Sequence, residues 1–278
     1  MSIEYIIDDS CSVKNKLSLD GFLGLIKKRN MVNTVVEMLK GQGKSYEEAL
    51  ELSFSSNRIM SDRKLESKTL KVSEILQETM NLDELDSYCD ECYLSNGNKF
   101  GCYHCVNFPI SLAAEKWLVS IANFALTAKD GLSRMAIDFI IENGISGEKF
   151  RKMRNDKSGA FFKEEKELEI SYDQKLFIKR KISTNQLFEI LFGYQVIERP
   201  QQIALLYFTG CFNILEDLPN DKEWDKIIKI THSDGKVNWY VFNLNKGKDD
   251  DLAISQLKEF FNSIFLAYCT GKNIYIDF

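Results

Sequence analysis

The chain has 278 residues, of which 44% are hydrophobic and 12% aromatic, so it can bury one large core or two smaller ones. Its net charge of −5 is spread evenly, and neither half has the Lys and Arg excess that is typical of a nucleic-acid-binding domain. No stretch approaches the roughly 18 consecutive apolar residues of a membrane span, and the N-terminal segment has acids where a secretion signal needs cations. We therefore expect a cytoplasmic protein that is not associated with a membrane.

The first half of the sequence predicts mainly helices. Apolar residues recur at helical spacing from Phe22 to Leu39, and Gly41 is expected to end this helix. Ser45 and Glu48 have the spacing of a capping box, which predicts the start of a short helix. Further helices are predicted over residues 63–80, from Pro109 to Ala125, and from Leu132 to Glu142.

The second half predicts a mixed domain. Near residues 155–159 the hydrophobic period changes from 3.6 to 2, so we place a domain boundary there, between residues 1–155 and 156–278. Antiparallel hairpins are predicted over residues 168–178 and around the turn Asp234-Gly235. Helices are predicted from Ser183, from Pro200 to Leu215 and after Asp251, followed by a last strand from Asn273 to Asp277. The expected fold class is α+β, with a helical N-terminal half and packed helices beside the C-terminal hairpins.

Two Cys-x-x-Cys pairs are the strongest chemical signal in the sequence. Cys89 and Cys92 form the first pair, and Cys102 and Cys105 form the second. Such a pair closes a tight knuckle in which both thiolates face one point, and two knuckles complete a tetrahedral four-sulfur shell. We therefore predict a module at about residues 86–108 that binds one zinc ion, with an iron–sulfur cluster as the alternative cofactor. A knuckle followed closely by a helix resembles the general layout of treble-clef and zinc-ribbon sites.

The predicted zinc site is structural. Four cysteine ligands close the shell, whereas a catalytic site keeps one position open for water. His104 lies between two predicted ligands, and we expect it to point outward instead of replacing a cysteine. The other cysteines, Cys11, Cys211 and Cys269, are isolated in the sequence, which is typical of thiols packed in a reducing compartment.

No catalytic motif is complete, so no catalytic residue is assigned. Gly43-Lys44-Ser45 ends like a P-loop, but Met38 stands where that motif needs its first glycine. A histidine-based hydrolase would need His232, with Asp234 as a neighbouring acid, but this histidine is expected at the exposed end of a strand. The acids from Asp249 to Asp251 are explained by the favourable interaction of carboxylates with a helix N-terminus.

The surroundings of the first cysteine pair indicate a protein partner. The segment from Val72 to Asn98 contains several acids and no Lys or Arg, so the first knuckle is an acidic surface. We interpret the chain as a zinc-stabilised interaction or regulatory module. The alternatives are an enzyme with an unrecognised carboxylate or thiol site, and a nucleic-acid-associated factor with a cationic edge near residues 149–157. That edge consists of Lys149, Arg151, Lys152, Arg154 and Lys157, and could be extended by Lys179, Arg180 and Lys181.

Overall fold

The computed structural model shows a mixed α+β protein with antiparallel sheets, which confirms the predicted fold class at that level. The chain divides into two compact units: unit 1 is Met1–Asp9 with Cys102–Phe278, and unit 2 is Ser10–Gly101. No helix within the described ranges is both long enough and apolar enough to cross a membrane. The structure describes residues 2–59, 65–90, 92–94, 99–127, 131–142, 146–156, 162–173, 178–220, 224–244 and 247–277.

The elements are numbered in chain order. The strands are β1 (Ser2–Asp8), β2 (Ser53–Ile59), β3 (Leu65–Lys71), β4 (Tyr103–Asn107), β5 (Glu167–Asp173), β6 (Ile178–Ser183), β7 (Val196–Ile197), β8 (Phe212–Leu215), β9 (Lys226–Thr231), β10 (Val237–Phe242) and β11 (Asn273–Asp277). The helices are α1 (Ser12–Leu17), α2 (Leu19–Gly41), α3 (Tyr46–Leu50), α4 (Val72–Glu78), α5 (Asn81–Leu85), α6 (Leu112–Thr127), α7 (Gly131–Glu142), α8 (Glu148–Asp156), α9 (Thr184–Phe192), α10 (Arg199–Phe208) and α11 (Leu252–Thr270).

The main sheet of unit 1 has the strand order β4-β1-β11-β7, and its neighbouring strands are antiparallel. The N-terminal strand β1 lies between β4 and β11, so that Tyr5 has His104 on one side and Ile276 on the other. Tyr5 is completely buried, and its ring meets Phe260 of α11 edge-on at a centroid distance of 4.7 Å. Helix α11 therefore packs against the face of the sheet to which Tyr5 points.

The rest of unit 1 packs around a core that is rich in phenylalanine. The ring of Phe188 lies 4.9 Å from that of Phe162, and the ring of Phe192 lies 4.9 Å from that of Phe260. All four side chains are buried, and burial of each contributes roughly 1.5–3 kcal/mol. The three-stranded sheet β8-β10-β9 and the hairpin β5-β6 complete the described part of this unit.

Unit 2 is built on the long helix α2, which packs against α4. The hydroxyl of Ser18 accepts a hydrogen bond from the Gly21 amide at 3.2 Å and so caps the N-terminus of α2. Arg29 links α2 to α5 and to the C-terminal end of α4. Its guanidinium lies 2.7 Å from the Asp83 carboxylate of α5 and donates a hydrogen bond to the Thr79 carbonyl, after α4, at 2.6 Å. The core of this unit consists of Val32, Val36, Leu39, Ala49, Val72 and Ile75.

Most of the predicted helices and hairpins are confirmed. Helix α2 ends at Gly41, and both hydrogen bonds of the capping box between Ser45 and Glu48 are present, at 2.7 and 3.2 Å. The hairpin β9-β10 occupies the predicted segment, and Gly235 has the left-handed conformation, with φ at 82°, that its turn requires. Strand β5 also lies where it is predicted, but its partner β6 lies at residues 178–183, beyond the predicted hairpin of residues 168–178. Helices α7, α9 and α11 and strand β11 lie where they are predicted, while α6 begins at Leu112 instead of Pro109.

Two predicted helices are partly wrong. The first part of the helix predicted over residues 63–80 is strand β3, because its backbone pairs with β2 in an antiparallel hairpin. The helix predicted from Pro200 to Leu215 ends at Phe208, since Gly210, with φ at 65°, turns the chain into strand β8. The first 155 residues also contain strands β1 to β4, which their helical periodicity does not predict.

The domain boundary predicted near residue 155 falls within unit 1. Helix α8, which contains residue 155, packs against helix α9, which follows it. Across the same position, Arg154 Nε donates a hydrogen bond to Asn185 Oδ1 at 3.1 Å. Residues 157–161, where the hydrophobic period changes, lie outside the described part of the chain.

Candidate functional site

The first cysteine pair lies in a tight turn of unit 2. Cys89 ends a short 3₁₀-helix that begins at Asp86, and the Cys92 amide donates to the Cys89 carbonyl at 3.1 Å. The pKa of the Cys89 thiol is raised, mainly by burial. The backbone N–H of Phe100 acts in the opposite direction and lowers this pKa. The neighbouring groups of Cys92, Cys11 and Asp86 raise it further. The thiols of this turn therefore lie near each other and are partly removed from solvent.

The second cysteine pair lies on an edge strand of the main sheet in unit 1. Cys102 directly precedes β4, and its carbonyl accepts a hydrogen bond from the Ile7 amide at 3.0 Å. Cys105 is a residue of β4 opposite Glu4, and its pKa is raised first by burial and then by the Glu4 charge. Cys105 therefore lies on extended backbone, whereas Cys102 lies in the turn that leads into β4.

His104, between Cys102 and Cys105, is packed against buried groups of unit 1. Its ring centroid lies 5.8 Å from that of Tyr5, and its Nε2 lies 3.8 Å from Glu259 Oε1 on helix α11. About a quarter of the side chain is exposed, at 26%. The sequence predicts an outward-pointing histidine, but the structure places it half-buried beside a carboxylate.

The predicted four-cysteine shell takes Cys89 and Cys92 from unit 2, and Cys102 and Cys105 from unit 1. Within the described ranges, no group of three or more His, Cys, Asp or Glu side chains is placed to hold a metal ion. Residues 95–98, which lie between the two cysteine pairs, are outside those ranges, as is Glu91. Of the predicted ligands, Cys89 and Cys92 share one turn, while Cys105 lies on a strand. Zinc binding by Cys89, Cys92, Cys102 and Cys105 stays a prediction from their spacing.

The described residues 80–90, 92 and 93 of unit 2 include several exposed side chains, and we call this segment the acidic tyrosine segment. Three large side chains are exposed here: Met80 at 59%, Tyr88 at 45% and Tyr93 at 56%. The Tyr88 hydroxyl accepts a hydrogen bond from Lys16 Nζ at 2.7 Å, and this ammonium lies 4.3 Å from the ring centroid. Asp83 and Asp86 are paired with Arg29 and Lys99, each at 2.7 Å. The segment therefore combines exposed apolar surface with acids that are only partly neutralised.

The predicted cationic edge is only partly available on helix α8. Lys149, Arg151 and Lys152 are exposed, but Lys152 Nζ lies 3.0 Å from Glu148 Oε1. Arg154 instead turns inward, and its Nη2 lies 2.7 Å from Glu115 Oε1. Lys157 and the side chains of Lys179 and Arg180 lie outside the part of the chain that the structure describes, and Lys181 lies 3.0 Å from Glu167.

The buried acid that receives Arg154 is a feature that the sequence analysis does not single out. Glu115 of helix α6 is completely buried, and its carboxylate also accepts hydrogen bonds from the Thr184 hydroxyl at 3.2 Å and the Glu164 amide at 2.9 Å. The Arg154 guanidinium stacks over the Phe162 ring, 4.5 Å from its centroid. A single acid in an otherwise apolar helix is the signal that could have identified this position. The network joins α6, α8 and α9 by charge and hydrogen bonds.

The remaining candidates for catalysis have structural partners. His232 is exposed beside a turn, as predicted, and one of its ring nitrogens lies 3.1 Å from Asn238 Nδ2. In the acidic run before α11, Asp251 caps the helix by accepting from the Ile254 amide at 2.8 Å. Asp250 Oδ2 lies 2.7 Å from Lys258 Nζ, so this acid is neutralised by a buried cation. The run therefore has the helix-terminal role that the sequence predicts for it.

The isolated thiols of unit 1 are not activated for nucleophilic chemistry. Burial raises the pKa of Cys269 to about 12, although the nearby Arg199 charge opposes this effect. Burial also raises the pKa of Cys211. A nucleophilic cysteine needs a lowered pKa, because the thiolate is the reactive form. At neutral pH both side chains are neutral thiols.

Comparisons with known proteins assign no function to the chain. A scan of protein-family models, a search of curated proteins and a search of solved structures each find no match to the chain.

Proposed function

We propose that the chain is a zinc-stabilised interaction module that binds a partner protein through the acidic tyrosine segment, residues 80–93. The observation that supports this proposal is the exposure of Met80, Tyr88 and Tyr93 within one short stretch of unit 2. Large aromatic side chains and methionine are enriched at protein interfaces, where they supply contact area at a small cost in conformational entropy. Exposed side chains of this size, close together in the chain, therefore favour a binding surface over an inert one.

The charge of the segment indicates the kind of partner. Glu84 and Asp90 are exposed, and neither forms a salt bridge within the part of the chain that the structure describes. These carboxylates would pair with Lys or Arg side chains at the rim of an interface, where they direct association and specificity. The apolar side chains would carry most of the affinity, so binding is expected to survive moderate salt. The proposed partner is a protein with a basic rim around an apolar contact.

The proposed role of zinc is to hold the cysteine turn beside this segment. Cys89 and Cys92 belong to the same stretch as Tyr88 and Tyr93, so a metal bound there would limit the conformations of both tyrosines. Together with Cys102 and Cys105 they have the spacing of a closed zinc shell, which stabilises structure and supplies no reaction. All seven cysteines are free thiols, which supports the proposed cytoplasmic location.

The two alternative functions have weaker support in the described residues. Arg154 is committed to Glu115 and Lys152 is paired with Glu148, which reduces the cationic surface available to phosphates. The raised pKa values of Cys211 and Cys269 argue against a thiolate nucleophile at either position. These observations leave the interaction surface as the function that we propose.

A comparison of surface variants tests the proposal. Affinity-purified wild type, the double variant Tyr88→Ala/Tyr93→Ala and the control Tyr46→Ala are compared by quantitative mass spectrometry of the proteins that copurify from the native host. Tyr46 is the matched control, because it is exposed to a similar extent, 46%, but belongs to helix α3. We expect the double variant to lose a specific partner by at least about tenfold while Tyr46→Ala retains it.

Circular dichroism spectra must show that all three proteins are folded. The proposal is wrong if the same partners copurify equally with all three. It is also wrong if the main ligand is a nucleic acid whose binding is steeply salt-dependent and is lost in the charge reversal Arg151→Glu/Lys152→Glu.

A further inference from the structure

A pocket of about 300 Å³ opens on unit 1 at the end of helix α11. Its wall combines Arg199 at the start of α10, His232 at the end of β9, and the last turn of α11. Tyr240 and Tyr268 form an aromatic part of the lining, with ring centroids 5.9 Å apart. Both tyrosines are buried, whereas Arg199 and His232 are exposed at the pocket mouth. The pocket therefore places a guanidinium and an imidazole beside two tyrosine rings.

Arg199 is held in place but retains unused donors. Its guanidinium stacks over the Tyr268 ring, 4.3 Å from the centroid, and its Nη1 donates to the Tyr268 carbonyl at 3.4 Å. A guanidinium carries five N–H donors in a rigid planar fork. Within the described residues Arg199 forms no salt bridge with a carboxylate, and its guanidinium contacts the carbonyl, the ring and the hydroxyl of Tyr268. The stacking orients a cation whose remaining donors are free to bind an acceptor.

The rest of the lining supplies no anion to neutralise this cation. Among the described residues, no Asp or Glu lines the pocket. The backbone carbonyls at the end of α11 already accept hydrogen bonds, because the Gly271 amide donates to Tyr268 and the Lys272 amide donates to Ala267, at 3.3 and 2.8 Å. His232 adds a second side chain that can donate a hydrogen bond. The described lining thus offers a guanidinium and an imidazole, and no carboxylate, to a ligand.

We infer that this pocket binds a small organic anion, with a carboxylate or phosphate group at Arg199 and His232 and a flat apolar body against Tyr240 and Tyr268. A volume of about 300 Å³ lies at the lower end of the range for small-molecule sites and therefore suits a ligand of about one ring. Arginine forms bidentate, charge-assisted hydrogen bonds to planar acids, which gives selectivity for the charged head group. The pocket belongs to unit 1, whereas the acidic tyrosine segment belongs to unit 2. The inference does not depend on the proposed partner.

Ligand-observed NMR titrations of the full chain test the inference with benzoate, phenyl phosphate and benzamide as probes. Benzamide has nearly the shape of benzoate but no charge, so it isolates the contribution of the anion. We expect benzoate, phenyl phosphate or both to bind at least about tenfold more tightly than benzamide, and Arg199→Gln to remove this difference. Arg151→Gln is the control, because Arg151 is an exposed arginine of helix α8 and does not line the pocket. This variant should bind all three probes like the wild type.

A second variant keeps the test decisive if Arg199→Gln does not fold. His232→Asn changes an exposed side chain and should weaken the anionic probes at least about threefold without changing the circular dichroism spectrum. The inference is overturned if neither anionic probe binds, if both bind no better than benzamide, or if binding is the same in the folded variants as in the wild type. The two anionic probes also distinguish a carboxylate site from a phosphate site.

Discussion

At the scale of single residues, Glu115 is a buried acid of unit 1 that accepts hydrogen bonds from three different groups. It is completely buried and is bonded to Arg154, to the Thr184 hydroxyl and to the Glu164 amide. A buried ion pair adds little net stability when both partners are present, because desolvation offsets the attraction. Removal of one partner is different, since the other charge stays buried without compensation.

The substitution Glu115→Ala should therefore lower the free energy of unfolding by about 3–5 kcal/mol. Arg154, whose side chain is only 12% exposed, would keep its charge without a carboxylate. Urea denaturation followed by circular dichroism measures the change. Lys152→Ala, which breaks the exposed pair with Glu148 on the same helix as Arg154, is the control and should change stability by less than about 1 kcal/mol. Equal effects of the two substitutions would show that the buried pair is not important for stability.

The raised pKa of Cys269 predicts that the stability of the protein depends on pH in the alkaline range. Burial raises its pKa from 9.0 to about 12 in the folded protein. Between about pH 9 and pH 12 the unfolded chain therefore releases a proton that the folded chain keeps, so a rise in pH favours unfolding. The free energy of unfolding should fall in this range by up to about 1.4 kcal/mol per pH unit from this thiol alone.

The substitution Cys269→Ala removes this contribution. Urea denaturation at pH 8.5, 9.5 and 10.5 should show a shallower loss of stability for the variant than for the wild type, with the two curves closest in slope below pH 9. Parallel pH dependences over the whole range would mean that the Cys269 thiol ionises in the folded protein as readily as in the unfolded chain.

At the scale of elements, the acidic run before α11 allows a comparison of two acids, one that caps the helix and one that does not. The Asp251 carboxylate accepts from the Ile254 amide, whereas Asp249 is exposed and makes no such bond within the described residues. Asp251→Ala should therefore lower the free energy of unfolding by about 1 kcal/mol, within the usual range of 0.5–2 kcal/mol for an N-cap. Asp249→Ala, measured by the same thermal or urea denaturation, should have little effect. Similar losses from both would indicate a general charge effect on the helix dipole instead of a specific cap.

The elements that the sequence predicts well are those whose ends have local causes. The capping box of Ser183 and Gln186 and the left-handed Gly271 that ends α11 each depend on residues within one turn. Strand β3 is predicted incorrectly, because its partner β2 supplies the hydrogen bonds that decide its conformation. Strand β8 likewise depends on pairing with β10, which lies more than twenty residues away in the chain. Local periodicity carries no information about such pairings.

At the scale of the whole molecule, the features missing from the sequence prediction are those that join distant segments. Strand β1 pairs with β11 at the opposite end of the chain, with Glu4 opposite Asp277. The pocket on unit 1 likewise combines Arg199, His232 and Tyr268 from three separate elements. The acidic character of the segment around Cys89 is visible in the sequence, but the exposure of its tyrosines is not. A hydrophobic pattern predicts which elements form, and only tertiary packing decides which side chains they leave exposed.

The last prediction at this scale concerns the metal content of the whole chain. The spacing of the cysteines predicts about one zinc ion per purified chain and no visible absorption band, which elemental analysis and absorption spectroscopy would measure. Cys92→Ser and Cys105→Ser should each reduce the zinc content and the melting temperature, because structural zinc contributes folding free energy on the order of 10 kcal/mol in small zinc-binding domains.

Cys211→Ser is the control, since this thiol lies in neither pair and should leave the zinc content unchanged. The two ligand variants distinguish the halves of the site, because Cys92 belongs to a turn and Cys105 to a strand. Loss of zinc in Cys92→Ser alone would show that the strand cysteine is not a ligand. Metal-free wild type, or a brown protein that contains iron and sulfide, would contradict a zinc site, and the second result would move the proposed function toward redox chemistry.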